Sequence, residues 1–184
     1  LDKLSFDKTG NINEFKHFGK SAGFVGIETC QNSSLRDSME NLWFGTMNGL
    51  TKYNPNSASN NPIPPIVNIS AVNLNYEPLS KTKFKKWANP RGGILPGLEL
   101  PYDQNDLEFE FQGVNLSNPE KVIYQWKLEG ASDEWTPLRS KNTADFNNLP
   151  PNEYTFLLRA FNEDGVANET PFEMSFTILP PFWQ

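Results

Sequence analysis

The strongest constraint on this chain is an alternation repeated four times in its second half. "DLEFEF" sets Leu107, Phe109 and Phe111 against Glu108 and Glu110. "VIYQWKLE" puts Val122, Tyr124, Trp126 and Leu128 on one side, with Ile123, Gln125, Lys127 and Glu129 on the other. "YTFLLRAF" alternates Tyr154, Phe156, Leu158 and Ala160 with Thr155, Leu157, Arg159 and Phe161. "FEMSFTI" opposes Phe172, Met174, Phe176 and Ile178 to Glu173, Ser175 and Thr177. Successive side chains of a strand point to opposite faces, so a period of two with one apolar face describes a strand lying on a core. "IVNISAVNL" (66–74) is a further, weaker strand. Turn-forming stretches separate them: "LEGASDEW", "NLPPNEY" and "NEDGVANETP". Strands of this length at these intervals predict a two-sheet sandwich. No helical period of useful length appears. The stretch 77–97, "EPLSKTKFKKWANPRGGILPG", is irregular and reads as an exposed connection.

Upstream, "NPNSASNNPIPP" is polar, proline-rich and aperiodic, which marks a linker. The expected organisation is residues 1–54, a linker at 55–65, and the sandwich over 66–184. The first unit contains two hairpin signals. In "NLWFGTMNGLTKYNP", two apolar runs flank Asn48-Gly49, which supplies the positive φ a tight hairpin needs. "SFDKTGNINEF" folds back around Thr9-Gly10-Asn11. These strand pairs have the size used in a propeller blade. Fifty residues cannot close a propeller of four or more four-stranded blades, so the unit reads as the end of a larger array.

Few side chains suggest chemistry. A net charge of −6 and the lack of a basic stripe disfavour nucleic-acid binding. No run approaches the roughly 18 apolar residues of a membrane span. Cys30 is the single cysteine, so no disulfide forms within the chain, and His17 is the single histidine. Thiolate catalysis needs a positioned imidazole beside the cysteine; the simpler reading is a buried small thiol and a surface imidazole. Glu108 and Glu110 share the solvent face of one strand rather than opposing each other across a cleft. "NEDG" (162–165) lacks the ligand spacing of a calcium loop and reads as a turn. "NPRGG" (89–93) is followed by no helix or Lys-Ser/Thr and is no phosphate cradle. No catalytic, cofactor or metal residues are assigned. Of the tryptophans, Trp126 is in phase with the core, Trp135 is expected to plug one end of the sandwich, and only Trp87 is expected to be exposed, with a sugar platform there the less favoured reading.

The residues also carry a resemblance. Trp43-Phe44-Gly45-Thr46, Gly49-Leu50 and Tyr53 resemble the repeat of two-component regulator propellers. Downstream, Tyr124, Leu128, Gly130, Trp135, Asn148-Leu149-Pro150-Pro151, Tyr154, Arg159-Ala160, Asn162, Gly165 and the closing Pro180-Pro181-Phe182-Trp183 resemble the triple-tyrosine (Y_Y_Y) domain that follows such propellers. The likeness covers residues 35–54 and 63–184. Two positions depart from it: a tyrosine is expected near Phe146, and Asn152 stands where glycine is common.

The resemblance implies an all-β chain, an immunoglobulin- or fibronectin-III-like sandwich behind a partial propeller blade. It implies the periplasmic part of a bacterial membrane receptor, a sensor histidine kinase, with this fragment non-catalytic. The sandwich would relay a signal from a ligand-binding propeller, whose ligand could be an oligosaccharide, to a membrane helix after Gln184 and a cytoplasmic output module. The full receptor would be a homodimer. Leu1-Asp2-Lys3 reads as the interior of a longer chain. Pro180 and Pro181 cannot extend a β ladder, and Phe182 and Trp183 suit the lipid headgroup level. Two competing readings are a carbohydrate-binding accessory domain of a secreted protein and a purely structural spacer.

Overall fold

A computed structural model describes residues 1–20, 23, 24, 26, 28–57 and 61–183 of the chain. They fall into two compact units, Leu1–Asn60 and Asn61–Gln184. Of the linker expected at 55–65, Pro55–Ser57 form a single 3₁₀ turn, 58–60 lie outside the described residues, and 61–65 are hydrogen-bonded to the second unit.

The first unit is β throughout. Strands β1 (Asp2–Phe6) and β2 (Ile12–His17) form one hairpin. β3 (Thr29–Arg36), β4 (Leu42–Thr46) and β5 (Gly49–Tyr53) form an antiparallel three-stranded sheet, the partial blade. The tight turn between β4 and β5 falls at Met47-Asn48, and Gly49, at φ +136°, carries the positive φ. The apolar residues of the first hairpin pair across its strands, Leu4 with Phe15 and Phe6 with Ile12, and all four are exposed.

The second unit is a sandwich of two four-stranded sheets. One contains β6 (Ile66–Leu74), β7 (Glu77–Pro78), β9 (Leu107–Val114) and β11 (Thr143–Phe146), in the order β11-β9-β6-β7. The other contains β8 (Leu98–Leu100), β10 (Ile123–Glu129), β12 (Asn152–Phe161) and β13 (Phe172–Ile178), in the order β10-β12-β13-β8. All pairings are antiparallel except β13 with β8. The chain thus begins in one sheet and crosses to the other before β9, as the first strand of an immunoglobulin-type sandwich does.

The alternating residues fill the core as their period requires. Trp126, Tyr154, Phe156, Leu158 and Phe176 are all buried. Phe109 is the hub: its ring centroid lies 4.7 Å from Phe156, 5.9 Å from Phe146 and 6.1 Å from Phe176. Phe111 meets Tyr124 at 5.1 Å and Trp126 at 5.5 Å. Phe146 closes on Phe156 at 5.9 Å, so phenylalanine fills the place where tyrosine was expected. Tyr124 reaches across to the facing sheet, where its hydroxyl accepts a bond from Gly113 N at 2.8 Å. That crossing needs glycine, since a β-carbon at 113 would stand 2.7 Å from Val122 Cγ1.

Three expectations are corrected here. The stretch 77–97 is not an exposed connection. Leu79 and Ile94 are buried in the core cluster, and Phe84, Trp87 and Ala88 pack against it. Gly92, at φ +99°, sits so close to β6 that a β-carbon there would lie 1.8 Å from the Ile69 carbonyl oxygen. Trp87 is therefore half-buried under Gly97 and is no open sugar platform. Cys30 is exposed rather than buried.

Trp126→Ala is expected to lower the unfolding free energy by roughly 3–5 kcal/mol, the usual cost of emptying a large aromatic site. Urea denaturation followed by circular dichroism measures it; an unchanged midpoint would reject the register given for β10. The Tyr154 hydroxyl donates to Pro150 O at 2.6 Å, closing the corner between β11 and β12. Tyr154→Phe is expected to cost about 1–3 kcal/mol by leaving that carbonyl unpaired. The same denaturation assay reads it, with no change in the midpoint counting against the corner bond.

Candidate functional site

The motif residues of the first unit are placed by a compact turn before β4. The Asp37 carboxylate accepts from Met39 N and Asn41 N at 2.9 Å each and from the Asn41 side chain. Trp43 Nε1 donates to its other oxygen at 2.9 Å. These bonds favour the charged form, and they hold the Asp37 carboxyl at about 2, with the Trp43 bond the largest cause and Asn41 next. Trp43 is thereby fixed in orientation, with Lys52 Nζ 5.3 Å from its ring. Phe44 packs on Phe24 at 6.2 Å. Ser33 Oγ bonds to Gly45 O, and Thr46 Oγ1 to Gly49 O. Every residue of Trp43-Phe44-Gly45-Thr46 and Gly49 therefore has a structural role in the sheet.

The same five-residue turn recurs. At Asp7 the carboxylate accepts from Thr9 N and Asn11 N, while Gly10 takes positive φ. The Thr9 hydroxyl, first among the causes, lowers its pKa. At Asn162 the amide oxygen accepts from Asp164 N and Val166 N, and Gly165 takes positive φ. "NEDG" is this turn.

In the second unit the motif residues divide between core, outer face and ends. Tyr124 and Tyr154 are buried, and burial raises the Tyr154 pKa. Pro150 supplies the carbonyl that Tyr154 holds. Trp135 does not plug the end of the sandwich. It lies half-buried on the outer face of the β10-β12 pair, with the Arg159 guanidinium 4.4 Å and Lys127 Nζ 5.5 Å from its ring. Lys127 and Arg159 occupy the outward phase of their strands, so the indole follows them onto that face.

The two ends differ in chemistry. At one end the incoming segment 61–65 is fastened to the loop between β12 and β13. Asn162 Nδ2 donates to the carbonyls of Asn61 (2.8 Å) and Ile63 (3.0 Å). Asn61 N donates to Asp164 Oδ2 at 2.7 Å, and Asn168 Nδ2 to Pro65 O at 3.0 Å. Asn115 extends this clamp: it accepts from Asn61 Nδ2 and donates to Glu163 Oε2. Asn115 and Asn162 are buried, so these bonds are shielded from water. The sequence named Asn162 and Gly165 only as motif positions. Asn61, Asn115 and Asn168 were missed, because their long-range bonds reach partners 48 to 103 residues away and leave no local pattern.

At the other end β13 leaves the ladder. Leu179 N donates to Leu100 O at 2.8 Å, and Pro180 and Pro181 then end the pairing. Trp183 turns back onto Tyr102 at 5.2 Å, while Phe182 projects into solvent. Among the described residues, no group of three or more His, Cys, Asp or Glu is arranged to hold a metal ion, and no helix is long and apolar enough to cross a membrane.

Residues 115–179 match the Y_Y_Y domain family. Over 187 residues, 95% of this chain, the sequence is 23% identical to Histidine kinase P4 of Formosa agariphila, of which it spans 13%. The extracellular domain of the hybrid two-component system BT3049 from B. thetaiotaomicron superposes with a TM-score of 0.68 at 24% identity, covering 96% of this chain and 26% of that one. The extracellular domain of the hybrid two-component system BT4673 from the same organism gives 0.54 at 20% identity, with 98% and 31% covered. The chain thus spans less than a third of each of these proteins. Part of its second unit matches the Y_Y_Y domain family, and the chain has the fold of extracellular regions of two-component systems.

Proposed function

We propose that this chain is a non-catalytic relay in the extracytoplasmic region of a membrane-bound two-component sensor. It couples a ligand-binding propeller upstream to a membrane helix and a cytoplasmic output module downstream, within a homodimeric receptor on the periplasmic side of the inner membrane. The ligand, for which an oligosaccharide is the favoured class, belongs to the propeller. The exposed apolar pairs Leu4–Phe15 and Phe6–Ile12 support this reading, since a blade buries such a face only against a neighbouring blade.

The observation that carries the proposal is the path between the two ends. The clamp ties the incoming segment to the β12–β13 loop, and β13 runs from that loop to Leu179 at the opposite end, about 20 Å of continuous strand. β13 is paired with β12 along its length and with β8 at its end. Such a strand shifts as part of a packed body rather than bending, because a close-packed core transmits displacement. A relay of this kind requires the ligand to favour one of two arrangements of the receptor pair.

Two changes in the full-length receptor test this. A flexible Gly-Ser segment inserted after Leu179 is expected to abolish ligand-dependent output, read by a reporter in cells. Asn162→Ala combined with Asn168→Ala is expected to weaken it at least several-fold while the receptor still reaches the membrane. Undiminished signalling in both variants would make the domain a spacer. A glycan bound by this chain alone would favour an accessory binding module.

A further inference from the structure

The charge of this chain is unevenly distributed. Lys81, Lys83, Lys85, Lys86 and Arg91 lie within eleven residues that contain no acid, and all five are exposed. Within the described residues none of them enters an ion pair. Of the 16 Lys and Arg in the chain, 11 remain elsewhere against 22 Asp and Glu, so the rest of the molecule carries −11. The segment is held firmly. Trp87 and Phe84 pack on the core, the bridge Ala88–Ile94 closes its hairpin, and Gly92 abuts Ile69. The five cations are thus displayed on a fixed lobe rather than on a loose loop.

An acidic column lies close by. Glu108 and Glu110 project from the outer face of β9, since Leu107, Phe109 and Phe111 take the inner phase. Their cross-strand neighbours are Asn73 and Ala71 on β6 and Asp145 and Thr143 on β11. Asn73 Nδ2 donates to both carboxylates, at 2.7 and 3.2 Å, and fixes them side by side. Asp145 is answered by Lys141, but within the described residues Glu108 and Glu110 have no cation. One cation of the lobe, Lys85, reaches the small residues of β6 that lie beside the column. A groove of about 400 Å³ is lined by Lys85 together with Ser70, Ala71, Pro78 and Asn89, and Ala71 is the register partner of Glu110.

We propose that this face is the surface on which a second copy of the chain docks. In a twofold-symmetric pair each surface meets itself reversed, so a face must carry both members of every complementary pair. This face does: the basic lobe of each copy would lie over the Glu108–Glu110 column of the other, making the same contact twice. The small side chains of Ala71 and Ser70 let the two faces approach. Anionic lipid is a poorer partner, because the end from which residues 179–183 leave carries Asp103, Asp106, Asp133 and Glu134. The inference deepens the receptor reading, in which the chain works as a pair, but its test uses the isolated chain and no signalling readout.

Sedimentation equilibrium at about 0.02 M and about 0.5 M salt measures the pairing, since exposed charges are screened beyond roughly 4 Å at the higher value. The wild-type chain is expected to dimerise at low salt and to dissociate at high salt. Lys85→Glu with Lys86→Glu is expected to weaken the dimer at least tenfold, as is Glu108→Lys with Glu110→Lys. Mixing the two variants, or combining all four changes in one chain, is expected to restore it. Circular dichroism establishes that each variant is folded. Independently, in a Cys30→Ser background, chains carrying Lys85→Cys mixed with chains carrying Glu110→Cys are expected to form a mixed disulfide. A chain that stays monomeric at low salt, a dimer indifferent to the swaps, or absence of the mixed disulfide would overturn the proposal. So would a monomer that instead sediments with anionic phospholipid vesicles.

Discussion

The contact on which the rest of this sandwich depends is the one between Phe109 and Phe156, 4.7 Å apart across the two sheets. Each belongs to the central pairings of its sheet, β9 between β11 and β6, and β12 between β10 and β13. Aromatic pairs of this kind add geometric preference to the burial of large apolar area. Phe146, Phe176 and Phe111 then have their places set relative to this pair. With the sheets held at one separation, the outward residues acquire fixed positions too. That is why Asn73 can bridge two glutamates, and why the Trp135 ring can lie beneath Arg159.

The strands with an unbroken period of two were legible because burial on one face leaves a mark at every second residue. β9, β10, β12 and β13 are of this kind. β6 was faint for a definite reason. Its register shifts between Ile69 and Ala71, so the inward phase passes from Val67 and Ile69 to Val72 and Leu74. A single period fitted to the whole strand cancels itself across such a bulge. β8 and β11, at three and four residues, are too short to show a period at all.

The stretch 77–97 misled for the opposite reason. Its four lysines are exposed as their charge demands, and they are as numerous as the large apolar residues that anchor it. Those anchors, Leu79, Phe84, Trp87 and Ile94, have no common spacing because short 3₁₀ turns separate them. Trp135 was misplaced because the segment 131–137 gives no phase. Its place is set by Lys127 and Arg159, and by Thr136, whose N–H and hydroxyl engage the main chain of Trp126 at the edge of β10. Polar contacts between distant segments escape sequence reading in general. A side-chain amide bonded to a carbonyl constrains two sites without constraining the residues between them.

The middle of the sandwich and its ends therefore do different work with different forces. The middle is apolar, and its rigidity comes from close packing, which fixes separation more strongly than it fixes angle. The clamp around Asn162 is polar and directional, and a hydrogen bond displaced by even an ångström is largely lost. The outgoing end is directional as well: the bond from Leu179 N to Leu100 O is the final ladder contact before two residues that have no N–H to offer. Both connections to neighbouring segments are thus held by groups that fix angle, not only distance. A domain that served only to keep its neighbours apart would need its packed middle alone. The oriented bonds at both ends, joined by one strand, are the features on which the proposed relay role rests.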